Sequence, residues 1–356
     1  MPKVSIIILN WNQPELTVNC VKSVLKQSYQ DFEILLVDNA SKDNSVEIFQ
    51  KEFGKNKKIR IIKNPENLGY AGGNNEGVKH AKGEYIVILN NDTLVEKDWL
   101  KWLVKGIESD EKIGAVSSID LKEGQSKETI MDFNRIGSTT SLLGYHAKYR
   151  LKEPLESDAS LVNSFGIRGV SFIYRKNIVD LPFDPDYFIY AEDLYFGWLL
   201  NLREYRNKTA TKSILYHFHN TSKKKSKKTN KYFIYLGERN RLINLFIFYE
   251  RKNLIKIFPL IVLGIFMLNF FEFKKIPYRS RSYLWLLTHY KDILKKREKI
   301  QKQRKVSDNF LIEKMSCKFY DESMVKNKFF ERILKFINYA FCLYCKALRI
   351  KTIELT

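Results

Sequence analysis

Three short apolar runs, at residues 4–9, 32–37 and 85–89, and a shorter strand at Arg60–Lys63 recur through the first hundred residues with helix-forming sequence between them. A run that is apolar at nearly every position, not at alternate ones, is buried on both faces, as strands of a parallel sheet are. The intervening segments read as helices: one over 14–27, opened by Asn12 and Pro14, one from about Asp43, one carrying residues 76–81, and one from about Glu96. This is βαβ repetition, which predicts an α/β fold with a parallel sheet and right-handed crossovers. Residues 113–118 read as a further strand, 122–161 as polar loop with short strands, 171–175 as a strand, and a helix starts near Glu192.

With 356 residues there is room for one large α/β domain and an appendage, or for two domains. The formal charge of +21 is unevenly placed. Residues 1–222 carry 29 Lys and Arg against 29 Asp and Glu, whereas residues 223–356 carry 32 against 11. An excess confined to one end points to a polyanionic surface, either nucleic acid or anionic lipid. The division expected is a catalytic domain over 1–222, a basic linker over 223–231 and a mainly helical region over 232–356. Cys20, Cys317, Cys342 and Cys345 include one Cys-x-x-Cys, but no second pair or nearby His completes a zinc site, so reduced thiols are expected. Met1-Pro2-Lys3 leads straight into the first apolar run, which reads as a strand and not as a signal peptide. No uninterrupted apolar segment reaches the roughly 18–20 residues of a membrane span.

Polar residues at the ends of the strands carry the chemistry. In open α/β sheets, ligands sit outside the carboxyl ends of the strands. Asn90-Asn91-Asp92 follows the run 85–89 directly. A carboxylate there, with two amides beside it, suits a divalent cation bridging a diphosphate, because Mg²⁺ takes one or two protein carboxylates plus substrate phosphates. Asp38, in Val37-Asp38-Asn39-Ala40-Ser41, is placed to accept from a ribose or a base N–H, or to cap the following turn. The run Asn67-Leu68-Gly69-Tyr70-Ala71-Gly72-Gly73-Asn74-Asn75-Glu76-Gly77 reads as a Gly-rich loop before a helix, where backbone N–H groups can approach a phosphate. Glu192-Asp193 at a helix start is either a dipole partner or a general base. His217 and His219 follow a strand over 213–216, and one of them could share a metal with Asp92.

Together these motifs resemble family 2 glycosyltransferases of the GT-A fold, particularly their rhamnosyltransferase-like branch. The resemblance covers roughly residues 3–222 and rests also on Val4-Ser5-Ile6-Ile7-Ile8-Leu9-Asn10, Gly169-Val170-Ser171-Phe172 and Tyr190-Ala191-Glu192-Asp193. It implies that Asp38, helped by Asn10, binds the nucleotide, and that Asn67, Gly69 and the amides near Gly72 and Gly73 line the donor pocket. Asn91 would lie at the donor beside Asp92. Asp92 would hold Mg²⁺ or Mn²⁺ on the diphosphate, with His217 as a further ligand. Asp193 would be the catalytic base, and Glu192 the alternative. The implied reaction is an inverting transfer of rhamnose or another hexose from a dTDP- or UDP-linked donor to a hydroxyl of a glycan or polyprenyl-linked glycan, in cell-surface polysaccharide synthesis. Two positions depart from the pattern: Tyr195 and Leu199 stand where family members often carry an acid and an arginine. That departure motivates the alternative of a nucleotide-sugar-binding protein without turnover.

The tail is expected to attach peripherally to an anionic membrane, at its cytoplasmic face. Residues 257–271 form a fifteen-residue apolar stretch interrupted by Pro259, Gly264 and Asn269, which suits a re-entrant or interfacial segment. Residues 329–349 place Phe330, Ile333, Leu334, Ile337, Phe341 and Leu348 on one side with basic residues interspersed, the pattern of a membrane-surface helix. Nucleic acid is not expected as partner, because the tail's aromatics sit in apolar runs and not on a stacking platform interleaved with Arg.

Overall fold

The computed structural model describes residues 1–122, 138–148, 160–218, 227–320, 322 and 327–355. Strands β1 (Val4–Asn10), β2 (Phe32–Asp38), β3 (Ile59–Lys63) and β4 (Tyr85–Asn90) are parallel and lie in the order β3-β2-β1-β4. Helices α1 (Pro14–Leu25), α2 (Ser45–Phe53) and α3 (Gly69–Lys79) return the chain between them. Successive side chains on a strand point to opposite faces. Accordingly Ile7, Leu35, Val37 and Ile88 enter one core, and Ile6, Ile8, Leu36 and Val87 the other. Both faces are covered, hence the unbroken apolar runs.

Beyond β4 the sheet becomes mixed. β10 (Ser171–Arg175) runs antiparallel between β4 and β6 (Ile113–Lys122). β11 (Arg206–His217) is parallel to β6, while β5 (Thr93–Val95) and β9 (Leu161–Ser164) pair antiparallel with β11. The parallel arrangement stops at β4 because β10 arrives after a long excursion and not through a single crossover helix. That excursion includes a ribbon of β7 (Ser138–Thr140) and β8 (His146–Lys148), and α4 (Trp99–Glu108) covers the sheet beneath it in sequence.

α5 (Glu192–Leu202) precedes β11, and among the described residues six α-helices follow: α6 (Lys227–Phe248), α7 (Arg251–Phe271), α8 (Ile276–Thr288), α9 (Tyr290–Gln301), α10 (Asp308–Ile312) and α11 (Lys328–Ala347). His219 and the first part of the expected linker lie outside the described residues, and residues 227–231 are the start of α6. The helices are not an appendage with their own interior. One apolar cluster contains Ile7 and Phe172 of the sheet, Trp198 of α5, Leu245 and Phe248 of α6, Ile261 of α7 and Phe341 of α11. Trp198 stacks on Phe248 and meets Tyr249 edge-on, each at 5.0 Å between ring centres.

Three expectations for the tail are corrected. α7 has 21 residues and, by length and composition, is long and apolar enough to cross a membrane. It begins in the charged turn Arg251-Lys252 and continues through Pro259, which forfeits one hydrogen bond without ending the helix. On α11, Leu334 and Phe341 face the protein core, while Phe329, Phe336, Tyr339 and Leu343 are exposed. The side expected to lie on a membrane packs on the protein through Leu334 and Phe341, while Phe330 and Leu348 of that side are exposed. Finally, Cys317 and Cys342 form a disulfide across 25 residues, with Cα atoms 5.2 Å apart; Cys345 and Cys20 are free and buried. Cys342 and Cys345 lie on one helix, and it is tertiary packing that delivers Cys317 to Cys342.

Candidate active site

The carboxyl ends of β1, β2 and β4 lie side by side, Asn10 level with Asp38 and Leu9 level with Asn90. Asn10 and Asp38 are buried. Asn10 Nδ2 donates to Asp38 Oδ1 at 2.9 Å, and Thr17 Oγ1 donates to Asn10 Oδ1 at 2.8 Å. The amide and hydroxyl of Ser41 also donate to the Asp38 carboxylate, so Asp38 caps its turn as well as standing at the strand end. Asn39, to which the motif reading assigned no role, ties this end to the next connection. Its Nδ2 donates to Asn67 Oδ1 at 2.9 Å and Gly69 O at 3.0 Å, and its Oδ1 accepts from Asn64 Nδ2 at 2.9 Å. A buried amide directly after a strand was the available sign.

The Gly-rich run is mostly helix, not loop, since α3 begins at Gly69. A Cβ on Gly73 would stand 2.6 Å from a Leu9 methyl, and one on Gly77 2.5 Å from an Ile7 methyl. These glycines let α3 lie directly on β1, which outweighs their cost of about 1 kcal/mol each in a helix. A Cβ on Gly72 would come within 2.9 Å of Leu68 Cβ. Gly69, at φ +70°, donates to Asn67 Oδ1 at 2.9 Å, and Ala71 N–H donates to Phe188 O at 3.1 Å. Gly72 and Gly73 therefore serve close packing, and the first amides of α3 that these contacts account for close the loop instead of standing free for a phosphate.

On the other side of β4, Asn91 Nδ2 donates to Gln13 Oε1 at 3.1 Å and Thr17 Oγ1 at 2.9 Å, which anchors the β4–β5 turn to α1. The pairing of β11 with β5 sets His217 level with Thr93 and brings His217 Nε2 to 3.1 Å from Asp92 Oδ1. Among the described residues, no group of three His, Cys, Asp or Glu side chains gathers as a metal cage. At this separation the Asp92 carboxylate and the His217 ring would be close enough to share a divalent ion. Two adjacent ligands, each about 2.1 Å from an octahedral ion, are about 3 Å apart.

Before α5 the backbone is forced. Phe188, Tyr190 and Ala191 have φ of 59°, 74° and 62°, a region costly for side chains larger than glycine and frequent at functional sites. A clamp from α6 holds them. Asn240 Nδ2 donates to the carbonyls of Tyr187, Ile189 and Tyr190 at 2.9, 3.0 and 2.8 Å, and Asn244 Nδ2 to Ala191 O at 3.0 Å. The result places Glu192 and Asp193 in the first turn of α5 with different surroundings. Glu192 is buried, one of its oxygens has no partner among the described residues, and burial together with the Asp193 charge raises its carboxyl to about 8. Asp193 is half-buried and borders a cavity of about 520 Å³. Burial raises its carboxyl too, opposed by backbone N–H groups of Leu194, Asp193 itself and Gly169.

The Gly169-Val170-Ser171 motif joins the two halves of the site. A Cβ on Gly169 would stand 3.4 Å from Asp193 Oδ2, and Val170 O accepts from Asn90 N at 2.9 Å. Tyr70 OH donates to Gly169 O at 2.6 Å. The two departing positions do not line the cavity: Leu199 is buried in the core, and Tyr195 packs edge-on against Tyr187 and Phe248 at 5.4 Å.

The profile described as Glycosyl transferase family 2 matches residues 5–180, from β1 through β10. Residues 5–180 belong to family 2 of the glycosyltransferases. The family 2 domain is 33% identical over 124 residues to glycosyltransferase GlyG of Streptococcus pneumoniae, covering 34% of this chain and 41% of that protein. It is 28% identical over 207 residues to the poly-beta-1,6-N-acetyl-D-glucosamine synthase of Staphylococcus aureus, covering 58% of this chain and 47% of that one. The chain thus spans under half the length of these relatives. Its fold is that of GalNAc-T7, solved with UDP, GalNAc and Mn²⁺, at a TM-score of 0.57 and 16% identity over 70% of this chain and 49% of that one. The GT-A architecture implied by the motifs is the one observed.

Proposed function

We propose that this chain is a metal-dependent inverting glycosyltransferase that moves rhamnose or another hexose from a UDP- or dTDP-linked donor to a hydroxyl of a glycan or polyprenyl-linked glycan. The observation that carries this reading is the link Asp193–Gly169–Val170–Asn90, which sets a cavity-facing carboxylate beside the strand end that bears Asp92. Asp38 and Asn10 would receive the nucleoside at the ends of β1 and β2. Asp92 and His217 would hold Mg²⁺ or Mn²⁺, whose charge offsets that of the leaving diphosphate.

Asp193 accepts the proton of the acceptor hydroxyl as that oxygen attacks the anomeric carbon from the face opposite the diphosphate. The bond from that carbon to the diphosphate oxygen breaks, the leaving group keeps the electron pair, and one displacement inverts the configuration. Burial and the Asp193 charge raise the Glu192 carboxyl, while backbone N–H groups oppose the rise at Asp193, which favours Asp193 as the ionised base. Tyr195 and Leu199 pack in the core, so their identity removes no group from the cavity wall.

Calorimetry with UDP, dTDP and GDP, each with Mn²⁺ and with EDTA, tests the donor site. Metal-dependent binding of the uridine or thymidine diphosphate is expected, and absence of binding by all three would overturn the reading. Asp193→Asn is expected to lower transfer by about a thousandfold, in the range of general-base losses, with donor affinity retained. Near-normal transfer by that variant would remove Asp193 from its role.

A further inference from the structure

The cavity beside Asp193 is closed on its far side by α6, which lies beyond the matched span 5–180, and by one turn within that span. α6 contributes Phe233, Gly237, Glu238 and Arg241, and the turn before β8 contributes Tyr145. Glu238 and Arg241 form a two-pronged ion pair, Nε to Oε2 at 3.0 Å and Nη2 to Oε1 at 2.7 Å, and both are buried. A buried ion pair is weak evidence of stabilisation, because desolvation offsets its Coulombic gain. Its place on a cavity wall calls for another account.

The donor inventory supplies one. A guanidinium has five N–H groups. Two of those on Arg241 go to Glu238 and one to Leu143 O, which leaves two. The Tyr145 hydroxyl is buried with no partner among the described residues, and its ring lies 4.3 Å beneath the Arg241 guanidinium. Tyr190 and Phe233, edge-to-face at 5.5 Å, add aromatic surface to the same wall.

Gly237 is the sharpest sign. Glycine is a poor residue in the middle of a helix, and at Gly73 and Gly77 a close neighbour explains it. At Gly237, a Cβ would meet nothing nearer than Tyr190 Cβ at 4.0 Å. The missing side chain relieves no clash; it leaves space in the cavity. An unused phenol, spare guanidinium N–H groups, a carboxylate and aromatic edges are what a sugar requires, since its hydroxyls donate and accept while its C–H faces rest on rings. The charged lining balances, with Asp193, Glu238 and Glu272 against Arg241, Lys275 and Arg279, which favours a neutral saccharide over a phosphate.

We infer that this cavity is the acceptor subsite for a neutral saccharide, bound by Tyr145, Glu238 and Arg241 in the space left by Gly237, with the reacting hydroxyl at Asp193. The inference rests on the glycosyltransferase reading above. It makes α6 a determinant of acceptor choice and not only a support for the loop before α5.

The test uses the full chain, the nucleotide sugar selected by the calorimetric screen, and a panel of octyl glycosides as acceptors. Gly237→Leu fills the cavity and replaces glycine with a better helix former. It is expected to lower transfer by at least about tenfold while affinity for the nucleoside diphosphate selected by that screen stays unchanged. Tyr145→Phe keeps the ring and removes only the hydroxyl; it is expected to raise the acceptor KM by about five- to tenfold, the value of one lost hydrogen bond. Unchanged transfer in both variants would overturn the inference, as would a wild-type chain that binds that nucleoside diphosphate but transfers to none of the glycosides. A wild-type chain that binds no nucleotide would overturn the glycosyltransferase reading itself, which the separate binding measurement distinguishes.

Discussion

Glu192 and Asp193 are neighbours with the same functional group, and their surroundings separate them. Glu192 enters the protein, and burial followed by the Asp193 charge moves its carboxyl from 4.5 to about 8. Tyr70, Tyr187 and Tyr190 also face this carboxylate. Between those two pH values the folded chain holds a proton that the unfolded chain has released, so stability falls as pH rises through the window. Glu192→Gln keeps the shape without the charge. Denaturant titrations are expected to show a flatter pH dependence for that variant and a gain in stability near the upper end. Equal pH dependence in both proteins would contradict the assignment. At this scale the positions of Asp38, Asp92, Glu192 and Asp193, just after strands or at a helix start, were legible from the apolar runs beside them. Asn39 and Asn240 were not, because their partners lie many residues away: Asn67 for the first and the Tyr187–Tyr190 carbonyls for the second.

Among elements, α6 holds the strained approach to α5. Three carbonyls share the Asn240 amide, and leaving buried carbonyls without donors costs about 1–3 kcal/mol. Asn240→Ala is expected to lower the unfolding free energy by about that amount and to reduce kcat more than the donor KM, because it releases the segment that positions Asp193. A variant with wild-type kcat would show that the clamp is dispensable. Strand positions followed from the apolar runs, since a strand buried on both faces leaves little else for such a run to be. The start of α3 did not. Glycines suggest a loop in sequence, and only the Leu9 and Ile7 side chains standing where their Cβ atoms would go reveal why they are helical.

At the scale of the whole molecule, the helices after residue 226 complete the interior of the catalytic unit. A chain ending at residue 226 would expose Trp198 and Tyr195, which pack on Phe248 of α6. It is expected to be insoluble or to unfold without cooperativity, as circular dichroism during heating would report. A soluble, cooperative fragment would refute the shared core. The same helices present Ile255, Phe258, Val262, Phe266 and Phe270 of α7 to the exterior, in the part of the chain that carries the whole positive excess. We propose that this surface docks on anionic lipid, at about 1 kcal/mol for each Lys or Arg near the membrane. Co-sedimentation with phosphatidylglycerol vesicles that weakens with salt is expected, and no sedimentation at low salt would exclude it. By itself the sequence determined the βαβ sheet and the acids at its carboxyl edge, because burial on both faces and polar residues at strand ends are local patterns. Only the tertiary structure decided which glycines pack and which one leaves space, which cysteines pair, and which face of α11 is buried. Those outcomes depend on side chains from distant segments meeting in one place, and no local pattern encodes them.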